Sequence, residues 1–270
     1  MPPTRPLKHL MDLTGRVALV TGGAGHVGRE AAAAVAELGA KVALVDVSGD
    51  GCAAAALTLS GQCDAEILAV RCDLADEAEV KTLPERVARV LGGLDIIVHA
   101  AAFVGDSELT GWAVPFPEQS PETWRAALEV NLTSAFVLVQ AATPWLEKSR
   151  AASVIQIASI YGMVGPDLRL YDGTGMGNPA AYAASKGGLL QMTRWLSTVL
   201  APKVRVNAIT PGGIWRRQKT EFVERYESRV PLGRMGSEED LKGAVAFLAS
   251  DLSAYVTGHN LVVDGGWTAW

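Results

Sequence analysis

Short apolar runs alternate along this chain with longer segments whose apolar positions recur every three or four residues. Arg16–Gly22 (RVALVTG) predicts a buried strand, and Val27–Gly39 (VGREAAAAVAELG) a helix that stops at glycine. Lys41–Val47 is a second strand and the alanine-rich Asp50–Ser60 a second helix. The alternation continues through Ala65–Leu74 (strand), Asp76–Gly93 (helix) and Leu94–Ala101 (strand). Pro121–Arg150 then reads as helical, Ala152–Ser159 as strand, Pro179–Ala201 as helix and Val204–Gly212 as strand. Glu238–Ser250 and Asn260–Gly266 close the series with a helix and a strand. The strands are continuous Val/Ile/Leu runs without polar alternation, the mark of strands covered on both faces. The expectation is therefore an α/β fold: a doubly wound parallel sheet of Rossmann type, in one domain spanning residues 1–270 with residues 1–12 as an N-terminal tail.

Two stretches break the rhythm. Phe103–Pro121 is rich in Pro, Gly and polar residues, and a glycine-rich insertion at 163–179 carries Gly165, Gly173, Gly175 and Gly177. Both follow strand ends, where an open parallel sheet builds its ligand pockets.

Composition narrows the classes. The 270 residues are 49% hydrophobic and 20% charged, which is globular rather than disordered. A net charge of −5 argues against a nucleic-acid partner, which needs clustered Lys and Arg. Cys52, Cys63 and Cys72 lack zinc-ligand spacing, so no metal site is expected; they read as reduced core thiols of a cytoplasmic protein. The first residues lack the apolar centre of a secretory signal, and charge or glycine interrupts the long apolar runs, so no membrane span is expected.

The candidate chemistry begins after the first strand, at Thr21-Gly22-Gly23-Ala24-Gly25-His26-Val27-Gly28. Glycines there permit a tight turn and close approach of a pyrophosphate, whose charge the following helix N-terminus favours. The second strand ends in Asp46, and an acid at that point accepts hydrogen bonds from both ribose hydroxyls while repelling a 2′-phosphate. No Lys or Arg closely follows it, which favours NAD over NADP. Tyr182 and Lys186 lie four apart on a predicted helix and share a face. A neighbouring ammonium favours phenolate and moves a tyrosine toward acid/base work.

Taken together with Asp73-Leu74, Asn131, Ser159 and Pro211-Gly212, these motifs resemble the short-chain dehydrogenase/reductase family, in the family's order from about Leu13 to Gly266. The resemblance implies hydride transfer at a carbinol or carbonyl carbon. By it, Asn131 would hold a water that relays protons to Lys186, and Ser159 would bond the substrate oxygen. Tyr182 would exchange the proton, while Lys186 binds the nicotinamide ribose and lowers the tyrosine's pKa. Gly22, Gly25, His26 and Val27 would meet the pyrophosphate, Asp73 and Leu74 the adenine end, and Ala100 and Ala101 the path between. Pro211, Gly212 and Ile214 would line the nicotinamide. Large aromatics are rarely left exposed, so Trp267 and Trp270 are expected at a subunit interface, and the resemblance implies a homotetramer.

The departures are specific. The compact branch of the family spells TGxxxGxG, whereas this chain spells TGxxGxxG through Gly22, Gly25 and Gly28. His99-Ala100-Ala101-Ala102 and Ser159-Ile160-Tyr161-Gly162 resemble the longer branch that works on nucleotide sugars, yet the chain ends too soon after Gly212 for that branch's substrate domain. Arg216 replaces the threonine expected beside the nicotinamide amide. His99 reads as a packing residue. Trp215, Arg216 and Arg217 fall on a substrate lid, and Arg169, Tyr171 and Asp172 on the insertion; each set either grips a polar, anionic or sugar-like ligand or merely packs. The leading reading is an NAD(H)-dependent alcohol/ketone oxidoreductase acting on a small polar molecule. The alternatives are a nucleotide-sugar epimerase or dehydratase using NAD transiently, and a catalytically silent NAD-binding regulator.

Overall fold

The computed structural model describes residues 4–103 and 109–270. Val104–Glu108, within the loop expected at Phe103–Pro121, and Met1–Pro3, within the expected tail, lie outside the described residues. The rest of the tail holds a short helix, α1 (Leu7–Met11). Then follow β1 (Val17–Thr21), α2 (His26–Ala36), β2 (Lys41–Asp46), α3 (Gly49–Ser60), β3 (Ile67–Arg71), α4 (Glu77–Leu91) and β4 (Ile96–His99). The second half runs α5 (Pro121–Leu128), α6 (Ser134–Leu146), β5 (Ala152–Ile157), α7 (Ala180–Val199), β6 (Val204–Pro211), α8 (Thr220–Glu227), α9 (Lys242–Ala249) and β7 (Asn260–Val263). All seven strands pair in parallel in the order β3-β2-β1-β4-β5-β6-β7, the doubly wound sheet expected.

Burial explains the strand pattern. On one face Ala18, Val20, Leu44, Val98 and Ile155 pack with the alanines of α2 and with Val245 and Leu248 of α9. On the other, Leu19, Val45, Ile97 and Val154 pack with Leu83 and Val87 of α4, Leu138 of α6 and Leu196 of α7. Successive side chains point to opposite faces, so a strand covered twice must be apolar at every position. Local signals set the helix limits. Asp76 accepts from the Ala78 and Glu79 amides to start α4, and Gly92 at φ +96° ends it. Ser120 caps α5, which carries Pro121 in its first turn.

One expectation changes. The run 121–150 is not one regular helix: a π-helical turn at Glu129–Thr133 separates α5 from α6. Such turns widen the backbone locally and recur at functional sites; this one carries Asn131, which is fully buried. The segment Pro121–Leu146 is also long and apolar enough to cross a membrane by length and composition alone, with a mean hydropathy of 1.3 over its most apolar 18 residues. Its apolar residues are used within the domain, where α6 packs on α4 and α5 packs on α7.

The three cysteine thiols are free, with Cys52 and Cys72 buried as expected. Trp267 is buried within its own chain: its ring stacks on Tyr226 at 4.4 Å, under the Arg229 guanidinium. Trp270 remains exposed, its indole N–H donating to the Arg229 carbonyl.

Ile97 at the centre of the sheet has no exposure. Ile97→Ala is expected to lower unfolding stability by about 2–5 kcal/mol through lost burial and a residual cavity, read from urea denaturation.

Candidate active site

The carboxyl ends of the strands open into a cleft of about 940 Å³. The glycine loop forms one part of its lining. Gly22 sits at φ +68°, and a Cβ there would meet the Ala101 backbone at 2.9 Å. At Gly28 a Cβ would fall 2.0 Å from the Gly22 carbonyl. Both glycines are therefore steric requirements of the β1–α2 turn. The small residues Ala100 and Ala101 leave room on the facing strand end. Gly22, Gly25, His26, Val27, Asp46, Asp73 and Leu74 all line the cleft. Asp46 is held in place by the Ala24 amide on Oδ2 (3.2 Å) and the Ser48 amide on Oδ1 (3.1 Å). A narrow glycine turn, a free helix start at α2 and an acid at the end of β2 together fit a dinucleotide.

Tyr182 projects into the cleft from the first turn of α7, and Lys186 follows one turn later. Lys186 is almost fully buried and donates from Nζ to the Ile157 carbonyl at 2.8 Å. Its ammonium lies 5.8 Å from the centre of the Tyr182 ring. Ser159, at the end of β5, hydrogen-bonds the Tyr182 hydroxyl and accepts from the Tyr161 amide. Gly162 lets this segment touch α7: a Cβ there would lie 2.7 Å from the Lys186 backbone. Asn131 stands behind the cleft rather than on its wall. Its Oδ1 accepts from the Phe103 amide at 2.5 Å, and its Nδ2 donates to Ser185 Oγ at 3.0 Å. Ser185 in turn donates to the Tyr182 carbonyl. The Asn131 amide thus braces the turn of α7 that presents Tyr182. Pro211, Gly212 and Ile214 line the cleft after β6.

Comparison with known proteins agrees with this arrangement. A family model described as enoyl-(acyl carrier protein) reductase matches residues 22–268. The 3-oxoacyl-[acyl-carrier-protein] reductase FabG of Thermotoga maritima is 33% identical over 264 residues, covering 95% of this chain and 99% of that protein. The D-threitol dehydrogenase of Mycolicibacterium smegmatis is 32% identical, covering 95% and 94% respectively. A short-chain type dehydrogenase/reductase from Mycobacterium marinum superposes with a TM-score of 0.86 at 29% identity, over 98% of this chain and all of the other. The chain belongs to the short-chain dehydrogenase/reductase family.

Within this dehydrogenase/reductase fold, electrostatics distinguish the two residues of the α7 motif. Burial pushes the Lys186 ammonium down to about 8, because a charge in the interior loses its hydration. Burial raises Tyr182, against the Ser159 hydrogen bond and the Arg216 charge, which pull it down. Arg216 is thus the cation whose charge favours ionisation of the phenol, at the position where the compact branch has threonine. Its Nε is held by Glu238 at 3.0 Å, and Glu238 also lies 3.8 Å from His26 Nδ1.

The other lid and insertion candidates divide. Arg169 does not line the cleft; it is exposed and grips Asp167 through both Nε and Nη2. Arg217 and Trp215 also stay off the cleft wall, Arg217 in a left-handed conformation at φ 61°. Tyr171 does line it, together with Met176 and Asn178 of the insertion, whereas Asp172 does not. His99 is a packing residue. The Ala101 amide donates to Thr21 Oγ1, which shares a further hydrogen bond with His99 Nδ1 at 3.0 Å. Burial, helped by Lys186, holds this imidazole neutral, its pKa pushed down to about 3.

Sequence reasoning missed Phe103, Trp112, Asn178, Phe222 and Tyr226 on the cleft wall. Phe222 and Tyr226 had a usable signal, two aromatics four apart on one face of α8. Trp112 and Asn178 lie on the two stretches expected to wall a pocket, but no spacing within those irregular loops singles them out.

The buried lysine predicts an exchange of stability for function. Its folded pKa of about 8 lies below the ordinary 10.5, so between those values the unfolded chain binds more protons and the native state gains stability as pH rises. Below about pH 8 the penalty is fully present. Lys186→Met is expected to raise the melting temperature of the cofactor-free protein at pH 7 and to flatten its rise above pH 8, measured by calorimetry across pH.

Proposed function

We propose that this enzyme is an NAD(H)-dependent oxidoreductase interconverting an alcohol and a ketone on a polar substrate, sugar-like compounds included. The observation that supports it most is the meeting of Ser159, Tyr182 and Lys186 at the wall of a cleft whose glycine loop and Asp46 suit a dinucleotide. A bound nicotinamide dinucleotide supplies the hydride acceptor or donor.

In the oxidative direction the Ser159 and Tyr182 hydroxyls hold the substrate oxygen between them. Tyr182 takes the hydroxyl proton as the carbinol C–H electron pair leaves with the hydride, giving the carbonyl; reduction reverses both transfers. Ser159 stabilises alkoxide character on that oxygen. Lys186 holds the nicotinamide ribose and favours the phenolate. Arg216 adds to that field and, alone among the three arginines considered, lines the cleft where it can meet a polar or anionic group of the substrate. Asn131 has its side chain engaged with Phe103 and Ser185, so a relay water would meet its main chain. His26 and Val27 offer amides at the start of α2 to the pyrophosphate, Asp73 and Leu74 border the adenine, and Pro211, Gly212 and Ile214 border the nicotinamide.

Asp46 supports NAD as the cofactor. Its carboxylate already accepts two main-chain amides and has lone pairs left for ribose hydroxyls, and its charge opposes a 2′-phosphate.

Tyr182→Phe is expected to keep dinucleotide affinity while turnover falls on the order of 10²–10⁴-fold, the usual worth of a general acid/base. Near-normal turnover of any good substrate by that variant defeats the assignment. Asp46→Ser is expected to weaken NAD binding by about 1.5–3 kcal/mol and to relax discrimination against NADP. Fluorescence titration with both dinucleotides reads this out, and a wild-type preference for NADP contradicts it.

A further inference from the structure

The insertion brings an incomplete hydrogen-bond set to the cleft. Tyr161 and Tyr171 meet hydroxyl to hydroxyl at 2.7 Å. Asn178 adjoins the Tyr171 hydroxyl, and among the described residues its buried Oδ1 has no hydrogen-bond partner.

The proton count is then uneven. Two hydroxyls carry two protons, and the bond between them uses one. Asn178 Oδ1 takes neither proton, so one hydroxyl proton of the pair is left over whichever tyrosine supplies the shared one. A spare donor and an unfilled buried acceptor thus sit side by side among residues that line the cleft. A hydroxyl group both donates and accepts, and it fits this pair as a carboxylate, an ammonium or a methyl does not. Unpaired polar groups of this kind give strong discrimination, because an analogue lacking the oxygen leaves them unsatisfied.

The subsite opens on the same cleft as Tyr182. It is also held firmly. Arg225 of α8 donates to the Asp172 carbonyl at 2.6 Å, and the Tyr171 ring packs on Phe222 at 5.4 Å. Around it the cleft is apolar, with Trp112, Met176, Phe222 and Tyr226 on its walls.

We propose that Tyr161, Tyr171 and Asn178 form a subsite for a second hydroxyl of the substrate, which makes the preferred substrate a diol or hydroxyketone with an apolar carbon body. This rests on the alcohol/ketone reading above. In the oxidative direction the balance is that of any such alcohol: the carbinol carbon loses a hydride to NAD, its hydroxyl loses a proton to Tyr182, and the second hydroxyl is unchanged.

The test compares cis-1,2-cyclohexanediol with cyclohexanol as NAD-linked substrates of the wild type, Tyr171→Phe and Asn178→Ala, with thermal melts to show that each variant folds. The wild type is expected to favour the diol by at least about 10-fold in kcat/KM. Tyr171→Phe, which keeps the ring against Phe222, is expected to bring that ratio close to one, and Asn178→Ala to lower it as well, which keeps the test open should one variant fail to fold. An equal ratio in wild type and variants, with turnover still dependent on Tyr182, overturns the hydroxyl subsite and leaves the oxidoreductase reading standing. No turnover of either alcohol, or of the matching ketones, with NAD or NADP overturns both.

Discussion

The hydrogen bond from the Lys186 ammonium to the Ile157 carbonyl joins the two halves of the active region. An ammonium does not enter an apolar interior without an acceptor, and here the acceptor is the last residue of β5. The bond therefore sets where α7 lies against the sheet. Once that is set, Tyr182 one turn earlier on the same helix face falls beside Ser159, just beyond the strand end. Gly162 permits the contact, because any side chain there would strike the backbone at Lys186. Asn131, buried on a π-helical turn, braces the same helix from the other side through Ser185. The lysine's loss of hydration is the cost of this arrangement, and it keeps the group's pKa low enough to respond near neutral pH.

The sheet supplies the second constraint. Both faces are covered, so ligands have access only at the strand ends, where loops replace helices. Gly22 and Gly28 permit the turn after β1, Asp46 ends β2, Ala100 and Ala101 follow β4, Ser159 follows β5, and Pro211 ends β6. One cleft collects these residues, and Asp73 after β3, because each strand is parallel to its neighbours and delivers its carboxyl end to the same edge.

Those same regularities decide what was legible in the sequence. Strand and helix order followed from apolar runs and capping residues, and the family's motifs located Tyr182, Lys186, Ser159 and Asp46. Where the backbone departs from regular geometry the pattern failed. The π turn at Asn131 keeps helical periodicity on both sides and so reads as continuous helix. Trp267 was expected between subunits because nothing local shows that it stacks on Tyr226. Arg169 was grouped with Arg216 as a ligand contact, yet Asp167 two residues away captures it. Asn178 and Trp112 reach the cleft through irregular loops, whose paths depend on tertiary contacts rather than on spacing.

The account turns on one proton carrier, a phenol whose ionisation burial opposes and whose neighbours Ser159 and Arg216 favour. The pH dependence of kcat/KM for alcohol oxidation at saturating NAD reads that group in the complex where it acts. The wild type should show a limb that rises with pH as Tyr182 ionises, and Tyr182→Phe should lose that limb along with most of its rate. Persistence of the same limb in the phenylalanine variant would show that another group moves the proton.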